Sequence, residues 1–549
     1  MRKHPHLQTL LAFAAVLATV VLGTDTSLAA ITPIVSENAM PGSWQWQATV
    51  APQYIDGYAS QVSVQAGDAL QFHISATPAA RYRINIWRLG WYAGSGGRLV
   101  TCIPSCTSDR LGIPQPVPAP DPTTGLLDAG WPITDSVVIG DDWLSGYYLG
   151  KIVLTGGPGI GTTMTVPFIV RAPSTTPPSA ILVVAPVNTW EAYNPWGGKS
   201  LYPSNSTAGV PAFEVSFDRP YALGAQWLFN FELPLVRFLE QEGYDVSYTT
   251  DVDVDANPSE LLRHRLVIVA GHDEYWTAQM RDAYDNALRL GTNLAFMGAN
   301  DGYWQMRYMV HRVIVEYKSS LLDPDQNSAA KTDLFRNLDP PKPECELIGV
   351  QHDEGEFGGF SEPYTVTAAA TTDPWFVNTG LVPGETLPNL VGYEWDTADP
   401  TCPHPGVKVL FHYDGGPANA DAIRYSAPSG ARVFSTGSLQ FSWGLDGWFS
   451  HTAAIPGLQQ FMRNALSDLL RPATPKIATV KRRRGRAVRA SRSIDPRVQR
   501  QIIFRGDGTS VARVCSTALT TCTTPFVAGD RYFAVTVDPW GTSAAAVLP

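Results

Sequence analysis

The stretch of sequence that decides the fold is LVIVAGHDEYW at residues 266–276. Leu266–Ala270 is a continuous apolar run, which is typical of a strand buried on both faces. Ala180–Ala185 and Leu294–Met297 are two more such runs, and the segments between them repeat apolar residues at helical spacing. Buried strands that alternate with helices indicate a parallel sheet covered on both faces.

We therefore expect a doubly wound parallel-sheet α/β domain, glutamine-amidotransferase/flavodoxin-like, at residues 179–475. A further strand at Arg432–Ser435 and a closing helix at Leu458–Leu470 follow a long β-rich insertion. Right-handed crossovers place all strand-to-helix loops at one edge of such a sheet. Ligands bind outside the carboxyl ends of these strands.

The residues before this domain show a different spacing of apolar residues. Residues 30–172 contain short alternating runs separated by Gly, Pro and Asp, which predicts an antiparallel β-sandwich, Ig-like. Gly156–Gly161 resembles a phosphate loop but has no following helix and no Lys-Ser/Thr, so it indicates a hairpin turn. The Pro-rich residues 173–178 are predicted to form a stiff linker.

A run of basic residues begins at Lys481 and continues through Arg500. Because charge blocks are usually solvated and disordered, residues 476–500 are predicted to be a basic linker. The alternative is a patch that binds an anionic polymer, either one of a cell wall or a nucleic acid. The remaining residues, 501–549, are expected to form a small β appendage.

Length and composition limit the possible classes of protein. A chain of 549 residues is too long for one core and predicts two to four domains. Only 16% of residues are charged and 44% are hydrophobic, which excludes a coiled coil and wholesale disorder. The net charge of −10 argues against nucleic acid as a partner of the whole chain.

The first residues have the pattern of an export signal. Met1-Arg2-Lys3 is followed by an apolar stretch, Leu10–Leu22, that is too short to span a bilayer, and then by small residues. Residues 1–29 are therefore predicted to be a signal peptide and the protein to be secreted, extracellular or wall-associated, with no stable membrane span.

Six cysteines fit an oxidising compartment. They fall along the chain into three groups, and pairing within each group is the economical expectation although the sequence leaves other pairings open. Half a zinc site is a weaker alternative for the first group, because no second Cys or His pair lies nearby. The groups are Cys102 with Cys106, Cys345 with Cys402, and Cys515 with Cys522.

Three loops that follow buried strands are dense in polar and aromatic residues. They span residues 188–202, 271–276 and 298–304. His272 and Asp273 could simply cap the helix that begins near Thr277. Three such loops at one sheet edge favour a functional cleft instead.

The absence of a nucleophile motif limits the catalytic mechanisms that the sequence allows. No Gly-x-Ser-x-Gly motif occurs, and Cys345 and Cys402 lie in the insertion, so a nucleophile elbow is not the mechanism. Two alternatives stay open. One is a carboxylate pair acting as general acid and base, as in glycosidases. The other is a metal held by oxygen-rich ligands.

The motif Gly271–Trp276, with Gly298–Trp304 and Gly392–Asp396 further along the chain, resembles the large-subunit catalytic domain of N,N-dimethylformamidase. The likeness covers roughly residues 180–470. It implies a mononuclear Fe³⁺ site with two tyrosinates and one glutamate as protein ligands. Matched motif by motif, the metal ligands are Tyr193, Tyr202 and Glu274, and the catalytic residues are His272 beside the metal, Asn300 on the substrate side and Glu394 as a second carboxylate.

The resemblance implies an iron-dependent hydrolase that cleaves an amide or related C–N bond of a small molecule, and the export signal implies that it is secreted. A homo-oligomer is possible. One rival is a secreted glycoside-active enzyme that uses Asp273, Glu274 or Glu394 and has tryptophans as sugar platforms. The other is a non-catalytic protein of the cell surface or wall. The tryptophans of the first rival are Trp190, Trp196, Trp276 and Trp304.

Overall fold

The computed structural model describes most of the chain in two units. Pro33–Arg471 form one compact unit, and Pro472–Pro549 belong to a second. The predicted signal peptide lies outside the described residues. These are residues 32–48, 53–222, 228–309, 312–325, 327–352, 357–399, 401–402, 404, 406–415, 419–448, 453–482, 485–491, 493–506, 511–517 and 521–548.

The first part of the larger unit is a sandwich of two sheets. One sheet has the strand order β1-β3-β7, and the other has the order β2-β9-β8-β4-β5, with β6 paired to β4. Both contribute to one apolar core that includes Phe72, Ile84 and Ile152. The elements are α1 (Pro33–Asn38), β1 (Ile55–Ala59), β2 (Ser63–Val64), β3 (Ala69–Ala76), β4 (Ala80–Leu89), β5 (Gly97–Ile103), β6 (Arg110–Gly112), β7 (Asp135–Val138), β8 (Gly146–Gly156) and β9 (Thr163–Val170).

The second part is built on a nine-stranded sheet. Its elements are β10 (Ile181–Ala185), α2 (Val187–Ala192), β11 (Glu214–Ser216), α3 (Leu233–Gln241), β12 (Val246–Thr250), α4 (Asp251–Ala256), β13 (Leu266–Ala270), β14 (Tyr275–Thr277), α5 (Ala278–Arg289), β15 (Asn293–Met297), β16 (Trp304–Met309), β17 (Val313–Val315), β18 (Asp333–Leu334), α6 (Cys345–Ile348), β19 (Phe357–Val366), β20 (Thr386–Glu394), β21 (Lys408–Tyr413), β22 (Ala420–Ser426), β23 (Arg432–Ser435) and α7 (Pro456–Leu469).

Five strands of this sheet are parallel and lie in the order β12-β10-β13-β15-β23. Counted along the chain, that order is 2-1-3-4-5. Alternate residues of each strand join different apolar clusters: Ile268 and Ala270 face one cluster, and Val267 and Val269 face the other. Both faces are therefore buried, which explains the continuous apolar runs in the sequence.

The insertion is rich in strands, and four of them continue the main sheet. β22, β21, β19 and β20 add to the edge beyond β23 through antiparallel pairs. A smaller five-stranded sheet takes β11, β17, β16 and β14, with β18 paired to β16. The multidomain β plus α/β architecture is confirmed, while the insertion belongs to the same sheet as the parallel strands.

Two smaller expectations, on the cysteine pairing and on the glycine-rich segment, are confirmed. The three disulfides are Cys102–Cys106, Cys345–Cys402 and Cys515–Cys522. Cys102 and Cys106 are therefore not half of a zinc site. The Gly-rich segment from Gly156 to Gly161 is the turn between β8 and β9. In the described part of the chain, no helix is long and apolar enough to cross a membrane.

The prediction of a basic linker at residues 476–500 is wrong, because most of that segment is β structure. Two of its strands pair as a hairpin, in which Val488 and Ala490 are fully buried. Ala487, Val488 and Ala490 are buried among exposed arginines of the same strand, and a rule based on charge alone misses these buried positions. The strands of the second unit are β24 (Ile477–Arg482), β25 (Gly485–Ala490), β26 (Arg500–Gly506), β27 (Val511–Thr517), β28 (Cys522–Pro525), β29 (Arg531–Asp538), β30 (Gly541–Thr542) and β31 (Ala546–Val547).

The sandwich and the α/β part are joined by buried polar contacts. Arg88 of β4 donates through Nη2 to Glu240 Oε1 of α3 at 2.7 Å, and both side chains are 0% exposed. Tyr248 and Asn38 donate to the same carboxylate at 3.0 and 2.8 Å. A buried ion pair stabilises the fold little more than an apolar contact of the same size would. Removal of one partner is costly, however, because the other charge stays buried without a counter-charge.

Glu240→Ala should lower the free energy of unfolding of the larger unit by about 3–5 kcal/mol, because it leaves the Arg88 guanidinium buried without a carboxylate. Denaturation in urea measures the loss. Glu242→Ala is the control, since Glu242 pairs with Arg463 near the surface and should cost at most about 1 kcal/mol. Equal losses for the two variants would contradict the importance of this contact.

Glu232 also lies between the sandwich and the α/β part. Tyr147 and Trp190 donate to its two carboxylate oxygens at 2.7 Å each. Burial raises the pKa of Glu232 to about 8, despite these two hydrogen bonds. A raised carboxyl pKa means that the folded protein holds the proton more tightly, so stability is lost as the pH rises. The free energy of unfolding should fall between about pH 4.5 and 8, and Glu232→Gln should remove that part of the fall. An unchanged pH profile in the variant would contradict this assignment.

Candidate active site

The three polar loops meet at the carboxyl edge of the parallel strands, as expected. Tyr193 and Tyr202 come from the segment after β10 and α2, His272 and Glu274 follow β13, and Asn300 follows β15. The loop after β13 does not serve to cap α5. Thr277 caps that helix itself, since its hydroxyl accepts from the backbone N–H of Met280. The polar residues of the loop are therefore available for chemistry.

Two phenols and a carboxylate lie together in this cleft. The Tyr202 hydroxyl donates to Glu274 Oε1 at 2.6 Å. The ring of Tyr193 stacks on that of Tyr202, with centroids 4.2 Å apart and planes tilted by 27°. Trp304 Nε1 donates to the same Glu274 oxygen at 2.9 Å, and the Glu274 backbone N–H is held by Thr189 Oγ1 at 3.0 Å. The Glu274 carboxylate is thus fixed in position from several sides.

His272 and Glu394 complete the site. His272 Nε2 lies 3.4 Å from Glu274 Oε2 and 3.4 Å from Glu394 Oε2. The Tyr193 hydroxyl lies 3.5 Å from the same nitrogen and 3.4 Å from Glu394 Oε1. Asn300 Nδ2 donates to Glu394 Oε2 at 2.8 Å. All six residues predicted from the resemblance are therefore close together.

Glu394 reaches the site although β20 is the outermost strand of the sheet. The chain turns back after β20, where the Asp396 backbone N–H donates to the carbonyl of Gly437 at 3.0 Å, just beyond β23. Asp396 Oδ1 also accepts from the backbone N–H of Asn300 at 2.9 Å. These bonds tie the end of β20 to the loop after β15.

Two glycines allow the loops after β13 and β15 to approach. Gly271 has a φ of +65°, and a Cβ atom on Gly298 would lie 1.5 Å from the Gly271 carbonyl oxygen. Any side chain at position 298 would push the two loops apart. The glycines at the start of both motifs therefore set the distance between His272 and Asn300.

The electrostatics of the site are those of several acids gathered around one base. Burial lowers the pKa of His272, but the charges of Glu394 and Glu274 raise it, and the result is about 10. Burial and then the charge of Glu274 hold the pKa values of Tyr193 and Tyr202 well above the usual range. Burial raises the pKa of Glu274, but the contacts with His272, Lys318 and Tyr202 together hold it below the usual value. Excess negative charge in this cleft would favour a bound cation.

The donor set fits a hard trivalent ion. Phenolate and carboxylate are hard oxygen ligands, which suit ferric iron. Glu274 Oε2 and Asn300 Oδ1 are buried, and no described residue donates a hydrogen bond to either atom; the nearest imidazole nitrogen to Glu274 Oε2, that of His272, lies 3.4 Å away. Among the described residues, no group of three or more His, Cys, Asp or Glu side chains is arranged to hold a metal. The phenol oxygens of Tyr193 and Tyr202 are the further oxygen donors beside Glu274 in this cleft.

One cation of the site was not predicted from the sequence. Lys318 Nζ lies 3.4 Å from the centre of the Tyr202 ring and 4.9 Å from that of Trp304. Burial lowers the pKa of Lys318 to about 8, although the charge of Glu274 opposes this. Lys318 comes from the insertion and belongs to no motif, so no signal in the sequence marked it.

Arg219 was also missed, and it holds the loop that carries both tyrosines. Its guanidinium contacts the Glu191 carboxylate, and both side chains are 0% exposed. It also donates to the carbonyls of Lys199 at 2.6 Å and Asn194 at 3.1 Å. Arg219 therefore fixes the backbone on both sides of the turn between Tyr193 and Tyr202.

The structure removes two supports of the glycosidase alternative. Trp276 is 0% exposed, and Trp190 and Trp196 are 5% and 6% exposed, so these three rings cannot serve as sugar platforms. Asp273 is 0% exposed, and burial raises its pKa to about 7. A second buried carboxyl group, that of Asp251, interacts with it and has a pKa held well above its usual range.

The fold and the site define an α/β protein with a buried cleft of phenol, carboxylate and imidazole groups at the carboxyl edge of its parallel strands. The family described as N,N-dimethylformamidase beta subunit-like, C-terminal, matches residues 83–455. The chain belongs to this family.

Individual relatives match over short segments. The N,N-dimethylformamidase beta subunits of Alcaligenes sp and Paracoccus aminophilus are 30% and 32% identical over 82 residues, which is 15% of this chain and 11% of each relative. A solved structure described as the mmIFT52 N-terminal domain aligns with 12% identity and a TM-score of 0.24, over 42% of this chain and 86% of that chain. That score is too low to bear on the fold.

The contact between Arg219 and the tyrosine loop can be tested by limited proteolysis. Trypsin cleaves after lysine, and the Lys199 carbonyl is held directly by Arg219. The double variant Glu191→Gln/Arg219→Met, which leaves no unpaired charge, should be cut at Lys199 at least about tenfold faster than the parent, because each lost hydrogen bond weakens the loop by roughly 1 kcal/mol.

The matched control is Arg312→Met, since Arg312 pairs with the neighbouring Asp218 at a partly exposed position. Cleavage at Lys199 should not change in that variant. A loop equally resistant in both variants would show that Arg219 does not hold the tyrosines in place.

Proposed function

We propose that this protein is an iron-dependent hydrolase that cleaves the amide or a related C–N bond of a small molecule. The observation that carries the proposal is the meeting of Tyr193, Tyr202 and Glu274 next to His272 and Glu394. Membership of the dimethylformamidase-like family supports an amidohydrolase. The strand order 2-1-3-4-5 supports a flavodoxin-like sheet, in which ligands bind at the carboxyl edge.

The three oxygen donors would hold the metal, and open positions would be left for substrate and water. Ferric iron held there would polarise the substrate carbonyl and lower the pKa of a water molecule. Trp304 and Thr189 keep the Glu274 carboxylate oriented for this purpose. Such supporting contacts fix a ligand and tune its basicity.

We assign the transfer of the proton to Glu394 and His272. Glu394 Oε2 lies 3.4 Å from His272 Nε2, so a proton accepted from the attacking water by one group can pass to the other. The departing amine then receives it, and the products are a carboxylic acid and an amine. His272 Nδ1 lies 3.2 Å from the Ala299 carbonyl, which keeps Nε2 directed into the cleft. General acid–base transfer of this kind contributes roughly 10²–10⁴-fold.

We assign the binding of the substrate oxygen to Asn300. Its backbone has a φ of +54°, and its N–H is held by Asp396. The side-chain N–H₂ group donates to Glu394 and has a second hydrogen that can reach a substrate oxygen. A donor held in this way stabilises the negative charge that develops on the carbonyl oxygen.

We also propose that the protein works outside the cell. The pattern of residues 1–29 and the three disulfides support export.

The test is hydrolysis of N,N-dimethylformamide and a series of small N-alkyl amides by iron-loaded protein, with the released amine measured. Asn300→Ala and Glu394→Gln should each lower kcat by about 10²-fold or more while iron content is retained. Tyr284→Phe is the control, because the Tyr284 hydroxyl is buried without a hydrogen-bond partner among the described residues.

Full turnover in both Asn300→Ala and Glu394→Gln would rule out these roles. Absence of turnover on every amide of the series, with iron bound, would rule out the proposed reaction.

A further inference from the structure

The charge of the protein is divided unequally along the chain. Residues 472–549 carry 13 lysines and arginines against four aspartates, a formal charge of +9, whereas the whole chain carries −10. Eleven of these 13 cations are arginines. A fold that concentrates one sign of charge on a small unit creates a strong local field and draws counter-ions to it.

The hairpin of β24 and β25 displays part of this charge on one surface. Ala478 lies opposite Arg489 in the register, and Arg482 is on the same face of β24 as Ala478. The neighbours of Arg489, Val488 and Ala490, point the other way into the apolar core of the unit. Arg482 and Arg489 are both exposed. They therefore project together from the outer face of the hairpin.

The three aspartates in the described part of this unit have other partners. Asp495 pairs with Arg497 at 2.8 Å, and Asp530 lies 3.4 Å from Arg505. Asp538 is buried and accepts from backbone N–H groups of the turn that follows it.

A second pair of cations lies at the tip of the same hairpin. Lys481 and Arg486 stand directly opposite each other, and neither has a carboxylate partner in the described part of the chain. Like charges in directly opposite positions destabilise a pair of strands. A bound anion would relieve that repulsion.

The kind of anion is indicated by the arginines and by the aromatic residues. The guanidinium fork binds phosphate through two parallel hydrogen bonds. Proteins that bind single-stranded nucleic acid add exposed aromatic rings on which bases stack. Two of the five aromatic side chains of this unit, those of Phe504 and Tyr532, are buried, and the other three are half-buried. The ring of Phe526 lies 4.9 Å from the Arg486 guanidinium. The surface therefore suits phosphates without bases.

We propose that the C-terminal unit is a binding module for a linear phosphodiester polymer that has no bases, such as a polyol-phosphate chain. The arginines of the β24–β25 hairpin form its main contact surface. This role does not depend on the chemistry proposed for the cleft.

The test is binding of the full-length protein to fluorescently labelled poly(glycerol phosphate), followed by anisotropy from about 50 to 200 mM NaCl. Binding should weaken at least about tenfold over that range, because each neutralised phosphate releases a counter-ion. Arg482→Gln/Arg489→Gln should weaken binding about tenfold and give a shallower salt dependence. Arg81→Gln/Arg289→Gln removes two exposed arginines elsewhere and should bind like the parent.

Three competitors identify the partner. An unlabelled oligo(dT) strand, polygalacturonate and vesicles that contain phosphatidylglycerol should each displace the probe at least about tenfold less effectively than unlabelled poly(glycerol phosphate). Equal or better displacement by any of them would overturn the proposal, in favour of nucleic acid, a carboxylate polymer or a membrane. Equal affinity of the two double variants would also overturn it.

Discussion

The Tyr202 hydroxyl and the Glu274 carboxylate meet at 2.6 Å, and the rest of the site depends on that contact. The two residues come from loops after different strands, so the contact exists only while the parallel sheet keeps those loops side by side. Tyr193, His272 and Trp304 then take positions around the pair. A small shift of either loop would break the hydrogen bond and move the oxygens of Tyr202 and Glu274 apart.

Several parts of the fold keep that contact in place. Arg219 fixes the loop that carries both tyrosines by donating hydrogen bonds to the backbone carbonyl groups of that loop. The close approach of Gly271 and Gly298 sets the distance between the loops after β13 and β15. The sandwich supports the start of the tyrosine segment, because Glu232 accepts hydrogen bonds from both Tyr147 of β8 and Trp190 of α2. The sandwich is therefore a support of the cleft and not a separate module beside it.

The parallel strands and the polar loops that follow them could be predicted from the sequence. Strands buried on both faces leave continuous apolar runs, and the loops after these runs contain unusual polar residues. Leu266–Ala270 and the His272 loop illustrate both signals. Glu394 needed the resemblance, since it reaches the site only through the return of the chain after the outermost strand. Lys318 and Arg219 act through long-range contacts that no local pattern encodes. The hairpin at residues 477–490 was missed because a rule based on charge alone takes no account of the buried residues between the arginines.

The central claim is that two phenols and Glu274 hold iron. The most direct measurement is metal analysis of the purified protein together with its visible absorption spectrum. We predict stoichiometric iron and a phenolate-to-iron charge-transfer band that is lost in Tyr202→Phe and weakened in Tyr193→Phe. Protein that hydrolyses amides at full rate without any bound metal would contradict the account.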